Sequence, residues 1–156
     1  MGFLKGKTAI ITGGGRAVLQ DGSCGSIGYG IATAYAKEGA NLVITGRNMQ
    51  KLLDAQEELE RLYGIQVLPV QADVSAGADN EAIVKNVIDQ AIEAFGEIHV
   101  LINNAQASAS GVCLAEKTTE QFDLAIYSGL YATFYYMKAC YPYLAKTKGT
   151  VINFAS

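Results

Sequence analysis

Apolar positions along the chain alternate between two spacings. Lys7-Thr-Ala-Ile-Ile-Thr12 is a short β-branched run, the pattern of a strand buried on both faces. Ile27, Ile31, Ala34 and Tyr35 recur at helical spacing, and Gly39 is placed to end that helix. Asn41-Leu-Val-Ile-Thr45 reads as a second buried strand. Asn48 can cap a helix with Leu52, Ala55, Leu59 and Leu62 on one face, stopped by Gly64. Ile65 to Val70 predicts a third strand. Ile83, Val84, Val87, Ile88, Ala91 and Phe95 predict a third helix, closed by Gly96. Ile98 to Ile102 predicts a fourth strand. Thr118 and Gln121 can form a capping box for a long helix, about 119–141, that contains Phe122, Ile126, Leu130 and Phe134. That helix is expected to bend or end near Pro142, which lacks an N–H. Thr150-Val-Ile-Asn-Phe154 reads as a fifth strand.

Short apolar strands separated by amphipathic helices predict a parallel sheet covered on both faces. Right-handed crossovers then favour an α/β, Rossmann-like doubly wound sheet in the order 3-2-1-4-5. Residues 1–156 read as one segment without an internal linker. The expected sheet is incomplete at its C-terminal edge, because a sixth strand would pair beside the fifth. An uncovered apolar edge predicts poor solubility or self-association of these residues alone.

Composition adds exclusions. With 12 basic and 15 acidic residues the net charge is −3, which argues against a nucleic-acid partner held by bulk positive charge. No apolar run is long enough to span a bilayer, and the first residues lack a secretory pattern, so no membrane partner is expected. Cys24, Cys113 and Cys140 are widely spaced, and with the single His99 they make no zinc constellation; no metal is expected. A cytoplasmic location is the natural expectation. Seven of the 17 glycines fall between Gly13 and Gly30, so the glycine excess is local.

That local excess is the strongest chemical signal. A strand ends at Thr12-Gly13, a glycine-rich loop follows, and a helix begins near Ser26-Ile27-Gly28. Backbone N–H groups and the positive helix end converge there on phosphate, and glycine admits close approach. The strand-loop-helix context is what such a loop requires in order to mean dinucleotide binding. The second strand ends without an acid to hold both ribose hydroxyls. Arg47 instead offers a planar cation to a 2′-phosphate, which favours NADP. Arg16, within the glycine loop, is a second candidate for that phosphate. Asp73, after the third strand, can accept the adenine amino group while the Val74 N–H reads a ring nitrogen. Asn103-Asn104-Ala105 follows the fourth strand, where strand ends open onto the cofactor crevice, and the small Ala105 leaves room for the nicotinamide ribose.

Thr12-Gly13 with Ile27-Gly28, Asp73-Val74, Asn103-Asn104-Ala105 and Gly149-Thr-Val-Ile-Asn-Phe-Ala-Ser156 together resemble the short-chain dehydrogenase/reductases, over Lys7 to Ser156. The fuller run from Thr12 through Cys24-Gly-Ser-Ile-Gly-Tyr-Gly-Ile-Ala32, with Asn104 to Gly111, is similar to the bacterial 12α-hydroxysteroid dehydrogenases within that family. The resemblance implies reversible hydride transfer between NADP and a secondary alcohol or ketone, with the 12α-hydroxyl of a bile acid as substrate. It implies that Ser156 orients the substrate oxygen. It also implies a homo-oligomer paired through the long helix, whose Tyr131, Tyr135 and Tyr136 suit packing or an interface. Two alternatives stay open: a 3-oxoacyl or enoyl thioester reductase, suggested by Ser26-Ile27 and Tyr29-Gly-Ile-Ala32, and a non-catalytic nucleotide-binding module.

The departures from the family pattern are specific. The glycine loop is about nine residues longer than the usual turn. Ser26 stands where the middle glycine is expected, and its hydroxyl could donate to a pyrophosphate. Gln106 replaces the glycine after Asn-Asn-Ala, and Gly129 occupies the place of a catalytic asparagine, with Ser128 beside it. None of the nine tyrosines has a lysine four residues on. In the family, lysine and cofactor lower that tyrosine's pKa for proton transfer, and the pair would lie about thirteen residues beyond Ser156. Residues 1–156 alone are therefore expected to be inactive.

Overall fold

The computed structural model describes residues 2–155. Five parallel strands form one sheet in the order β3-β2-β1-β4-β5. They are β1 (Thr8–Thr12), β2 (Asn41–Gly46), β3 (Val67–Gln71), β4 (Val100–Asn103) and β5 (Thr150–Asn153). The helices are α1 (Ile27–Lys37), α2 (Met49–Tyr63), α3 (Asn80–Phe95), α4 (Thr119–Ile126) and α5 (Ala132–Thr147). The expected strand order is the observed one, and the expected strand boundaries shift by one or two residues.

The sheet has two buried faces because successive side chains point opposite ways. Ile10, Val43, Val70 and Leu101 face α3 and α5, where they meet Val84, Ile88, Tyr136 and Cys140. Ile11, Ile44 and Ile102 face α1 and α2, where they meet Ala32, Leu52 and Leu59. In register, Ile10 sits between Val43 and Leu101, and Ile11 between Ile44 and Ile102. β3 is an edge strand, and there Pro69 is tolerated because its missing N–H breaks no ladder on the open side. β5 pairs with β4, and all four of its residues are exposed.

Local signals hold at most helix ends. Asn48 Oδ1 caps α2 by accepting from Lys51 N–H, and Gly64 ends it at φ 64°. Gly96 ends α3 at φ 77°. The capping box of Thr118 and Gln121 is formed. Three features differ from expectation. Glu38 caps α1, with Gly39 following at φ 85°. The long helix is interrupted by a π-helical turn, Tyr127–Tyr131, between α4 and α5. And α5 does not end at Pro142 but runs on to Thr147. Pro142 is exposed, so water can serve the carbonyl its ring leaves unpaired, while Tyr136, Cys140 and Leu144 bury the opposite side.

Burial also picks a different helix face from the one the bulky residues mark. In α1 the buried residues are Gly28, Tyr29, Ala32 and Ala36, while Ile27 is 64% exposed. Along the long helix, Phe122, Leu130 and Phe134 are exposed, and Ser128, Ala132 and Tyr136 are buried.

Candidate cofactor site

Thr12 organises the C-terminal ends of the central strands. Its hydroxyl oxygen accepts from the N–H groups of Asn104 (3.0 Å) and Ala105 (2.9 Å). Its proton points toward Ile102 O at 3.4 Å. Asn104 Nδ2 donates to Thr12 O at 2.9 Å. The loop after β4 is thereby tied to the loop after β1. Sequence reasoning missed this role; the available signal was a hydroxyl at the C-terminal end of a strand with an aliphatic centre.

The tie explains two glycines. Gly13 has φ 75°, and a β-carbon there would lie 2.9 Å from Asn104 Nδ2. A β-carbon at Gly28 would lie 2.1 Å from Gly13 O and 2.7 Å from Asn104 Nδ2. The first turn of α1 therefore presses directly onto the end of β1, and only glycine admits it. Ser26 is the N-cap of α1: its hydroxyl oxygen accepts from Tyr29 N–H at 3.3 Å. Its proton is left to donate outward, at the positive end of the helix.

The longer glycine loop has its own structure. Val18 and Cys24 form an antiparallel bridge, Leu19 N–H donates to Ser23 O, and Gly22 turns the chain at φ 82°. Gly25 N–H donates to Ala17 O, and Arg16 N–H donates to Lys51 O. The extension is thus a small hairpin lying against α2. At its base the Arg16 guanidinium pairs with Glu58. That pairing, with its hydrogen bond, raises the Arg16 pKa and lowers that of Glu58. Burial, then the contact with Glu58, pushes the Tyr29 phenol up to about 12.

Arg47 is placed differently. It is exposed, and with Gly13, Thr45, Val74, Asn104, Ala105 and Gln106 it lines a hollow of about 270 Å³. A second hollow, sharing Arg47 and Ala72, holds Asp73. Gln71 Nε2 donates to Arg47 O at 2.8 Å and so fixes the backbone there. Asp73 Oδ1 accepts from Ser75 N–H (2.9 Å) and Ser75 Oγ (2.6 Å). Burial works to raise the Asp73 pKa, but the Ser75 hydrogen bonds and the nearby Arg47 charge outweigh it, so the carboxyl lies below its ordinary value. Val74 is held by Asn80, whose Nδ2 donates to Val74 O at 2.6 Å.

The structure therefore gathers Gly13, Arg47, Val74 and Ala105 around one hollow, with Asp73 in the adjoining one. Arg16 instead lines a separate hollow with Asp54, Glu57, Glu58 and Arg61. Asn103 is buried, and its Nδ2 donates to Asn153 Oδ1 at 2.8 Å, joining β4 to β5. Ile27 is exposed at the start of α1. Ser156 lies outside the described residues. Tyr29, Tyr35 and Tyr136 all have raised pKa values, each chiefly through burial, so none of the three is activated as a base. Among the described residues no cluster of metal ligands occurs, and no helix is long and apolar enough to cross a membrane.

Comparison with known proteins agrees with this geometry. Residues 7–156 match the model of the short chain dehydrogenase family. A 12alpha-hydroxysteroid dehydrogenase of a Clostridium species is 65% identical over 156 residues, all of this chain and 58% of that protein. The chain thus spans under two thirds of that relative's length. The L-sorbose reductase of Gluconobacter frateurii, solved with NADPH and L-sorbose, superposes with a TM-score of 0.84 at 27% identity, covering 100% of this chain and 55% of that one. An alcohol dehydrogenase from Thermococcus sibiricus, complexed with 5-hydroxy-NADP, gives 0.81 at 28% identity over 93% of this chain and 56% of that one. Sequence, strand order and the glycine-dependent contact of α1 with β1 agree: the chain belongs to the short-chain dehydrogenase family.

Proposed function

We propose that this chain is the cofactor-binding part of an NADP-dependent oxidoreductase acting on a secondary alcohol or ketone, with the 12α-hydroxyl of a bile acid as its substrate. The observation that carries the cofactor is the hollow at the strand ends, where no acid ends β2 and Arg47 is exposed beside it. A carboxylate there would repel a 2′-phosphate, whereas a guanidinium pairs with it. The solved relatives carrying NADPH and 5-hydroxy-NADP support the same cofactor. The steroid rests on the name of the relative at 65% identity.

Bound NADP supplies the hydride acceptor. The protein's part is to hold it. Gly13, Ser26, Ile27 and Gly28 cradle the pyrophosphate at the N-terminus of α1. Arg47 takes the 2′-phosphate, Asp73 and Val74 read the adenine, and Asn103 and Ala105 border the ribose. Ser156 would orient the substrate oxygen by hydrogen bonding. A serine hydroxyl has no charge change near neutral pH, and no tyrosine in these residues has a lysine four positions on. Residues 1–156 alone therefore bind cofactor without turning over. The exposed Phe122, Leu130, Tyr131 and Phe134 on the long helix suit pairing with a second copy. A cytoplasmic location fits the free cysteines.

The test is a fluorescence titration of the chain with NADPH and NADH, followed by a bile-acid oxidation assay on a chain extended to include a Tyr-x-x-x-Lys pair. Tighter NADPH binding and turnover of cholate only in the extended chain are expected. Preference for NADH would overturn the cofactor assignment, and turnover of acyl thioesters in place of cholate would overturn the substrate.

A further inference from the structure

The loop after β4 is fixed to the helix behind it at two adjacent points. Ser128, 1% exposed, is the first. Its hydroxyl oxygen accepts from Ala107 N–H at 2.9 Å, and its single proton has Leu124 O at 2.7 Å and Ala107 O at 2.9 Å within reach. The second point is Gly129. A β-carbon there would lie 3.4 Å from Gln106 Nε2, 3.8 Å from Cδ and 3.9 Å from Cγ. The Nε2 side of the Gln106 side chain thus rests over this glycine. A methyl group would fit at ordinary contact, but any longer side chain would claim the carboxamide's volume. Both points fall in the π-helical turn, a distortion common at functional sites. Gln106 also lines the hollow that holds Gly13, Arg47 and Val74. Its side chain has the helix on one side and the hollow on the other.

We infer that Gln106 is a cofactor-positioning residue propped by Gly129, and that positions 106 and 129 share one side-chain volume, filled from 106. The inference rests on the cofactor reading above and deepens it. A carboxamide offers a donor and an acceptor without charge. It therefore suits the uncharged ribose and amide parts of a dinucleotide, while Arg47 takes the anionic part. Ser128 keeps the loop from carrying Gln106 away from the helix.

The test compares the full chain with Gln106→Gly, Gly129→Asn and their double variant, and adds two variants of similar shape, Gln106→Met and Gln106→Glu. Two quantities are read: NADPH affinity by fluorescence titration, and the thermal midpoint without cofactor. Gly129→Asn should weaken NADPH binding about tenfold and lower the midpoint, because its side chain evicts the carboxamide. Adding Gln106→Gly should return both readings to those of Gln106→Gly alone. Gln106→Met should weaken NADPH about three- to tenfold through the lost hydrogen bonds to the cofactor. Gln106→Glu should bind NADPH more weakly still at pH 8, where a carboxylate faces an anionic ligand. Additive changes in midpoint at 106 and 129 would overturn the shared volume. Unchanged NADPH affinity in both the Met and Glu variants would overturn the positioning role. A chain that binds no nicotinamide dinucleotide would overturn the proposed function and the positioning role together, and the cofactor-free midpoints would still read the shared volume on their own.

Discussion

The hairpin loop after β1 and the hollow beside Arg47 lie at the same end of the sheet, and both carry an arginine suited to phosphate. Arg16, in the loop, is committed: Glu58 binds its guanidinium, Lys51 O binds its N–H, and Ala17 and Gly25 close the hairpin around it. Arg47, in the hollow, is exposed, with its backbone fixed by Gln71 and its charge felt by Asp73 at a distance, without the close ion pair that Glu58 makes with Arg16. A cation already paired with a carboxylate must give up that pairing to bind an anion. A cation on a fixed backbone with an open face gives up little. Positive charge near a phosphate site is therefore not evidence of phosphate binding until its existing partners are known.

The largest effect expected is at the point that anchors the loop. Gly28→Ala puts a β-carbon against Gly13 O and should cost about 3–5 kcal/mol in stability, since backbone has to move. Denaturant unfolding measures this, and a loss under 1 kcal/mol would mean that α1 can slide off β1 freely. Next comes the hollow. Arg47→Asp should weaken NADPH binding by about 2–5 kcal/mol, the range for truncating a desolvated charge pair, and leave NADH binding equal or better. Calorimetric titration with both cofactors checks it, and equal losses would make Arg47 structural. A smaller change is expected in the loop: Arg16→Ala and Glu58→Gln should each lower stability only slightly, as a solvent-screened pair, with little change in NADPH affinity. If Arg16→Ala weakened NADPH as much as Arg47→Asp, the contrast between the two arginines would fail.

The smallest effect lies at the opposite end of the sheet, away from both regions. His99 Nδ1 accepts from Thr8 N–H at 3.0 Å. Burial, then the charge of Lys7, lowers its pKa, while Glu97 works to raise it. The unfolded chain thus takes up this proton at higher pH than the folded one. The stability His99 contributes is complete above its ordinary pKa near 6.5 and is lost as pH falls from there through the folded value. Thermal midpoints at pH 7.5 and 5.5 should fall slightly for the native sequence, and His99→Asn should flatten that part of the change. NADPH affinity at neutral pH should be unchanged by the substitution.

Much of the frame was legible because it is local. Alternating periods marked each strand and helix, and right-handed crossovers favoured the order 3-2-1-4-5 for five parallel strands. Asn48, Gly64, Gly96 and the Thr118–Gln121 box mark helix ends through contacts within a few residues of themselves. Helix faces were less legible. Phe122, Leu130 and Phe134 keep helical spacing and yet are exposed, because spacing reports which residues share a face and not which face has a neighbour. The π turn shifts the helix's phase midway, and nothing within Tyr127–Tyr131 announces it. Gln106 and Gly129 read separately as two departures from the family pattern; only folding brings one over the other.

The residues by themselves determined the alternation of elements, the glycine loop ahead of α1, the absence of an acid at the end of β2, and a match to the short-chain dehydrogenases running from Lys7 to Ser156. The tertiary structure decided which of these groups is available for chemistry. Arg16 and Glu58 are 42 positions apart, Thr12 and Asn104 are 92 apart, and Gln106 meets Gly129 across a loop and a helix. Those pairings depend on where the sheet places distant segments, so no local pattern of residue types encodes them.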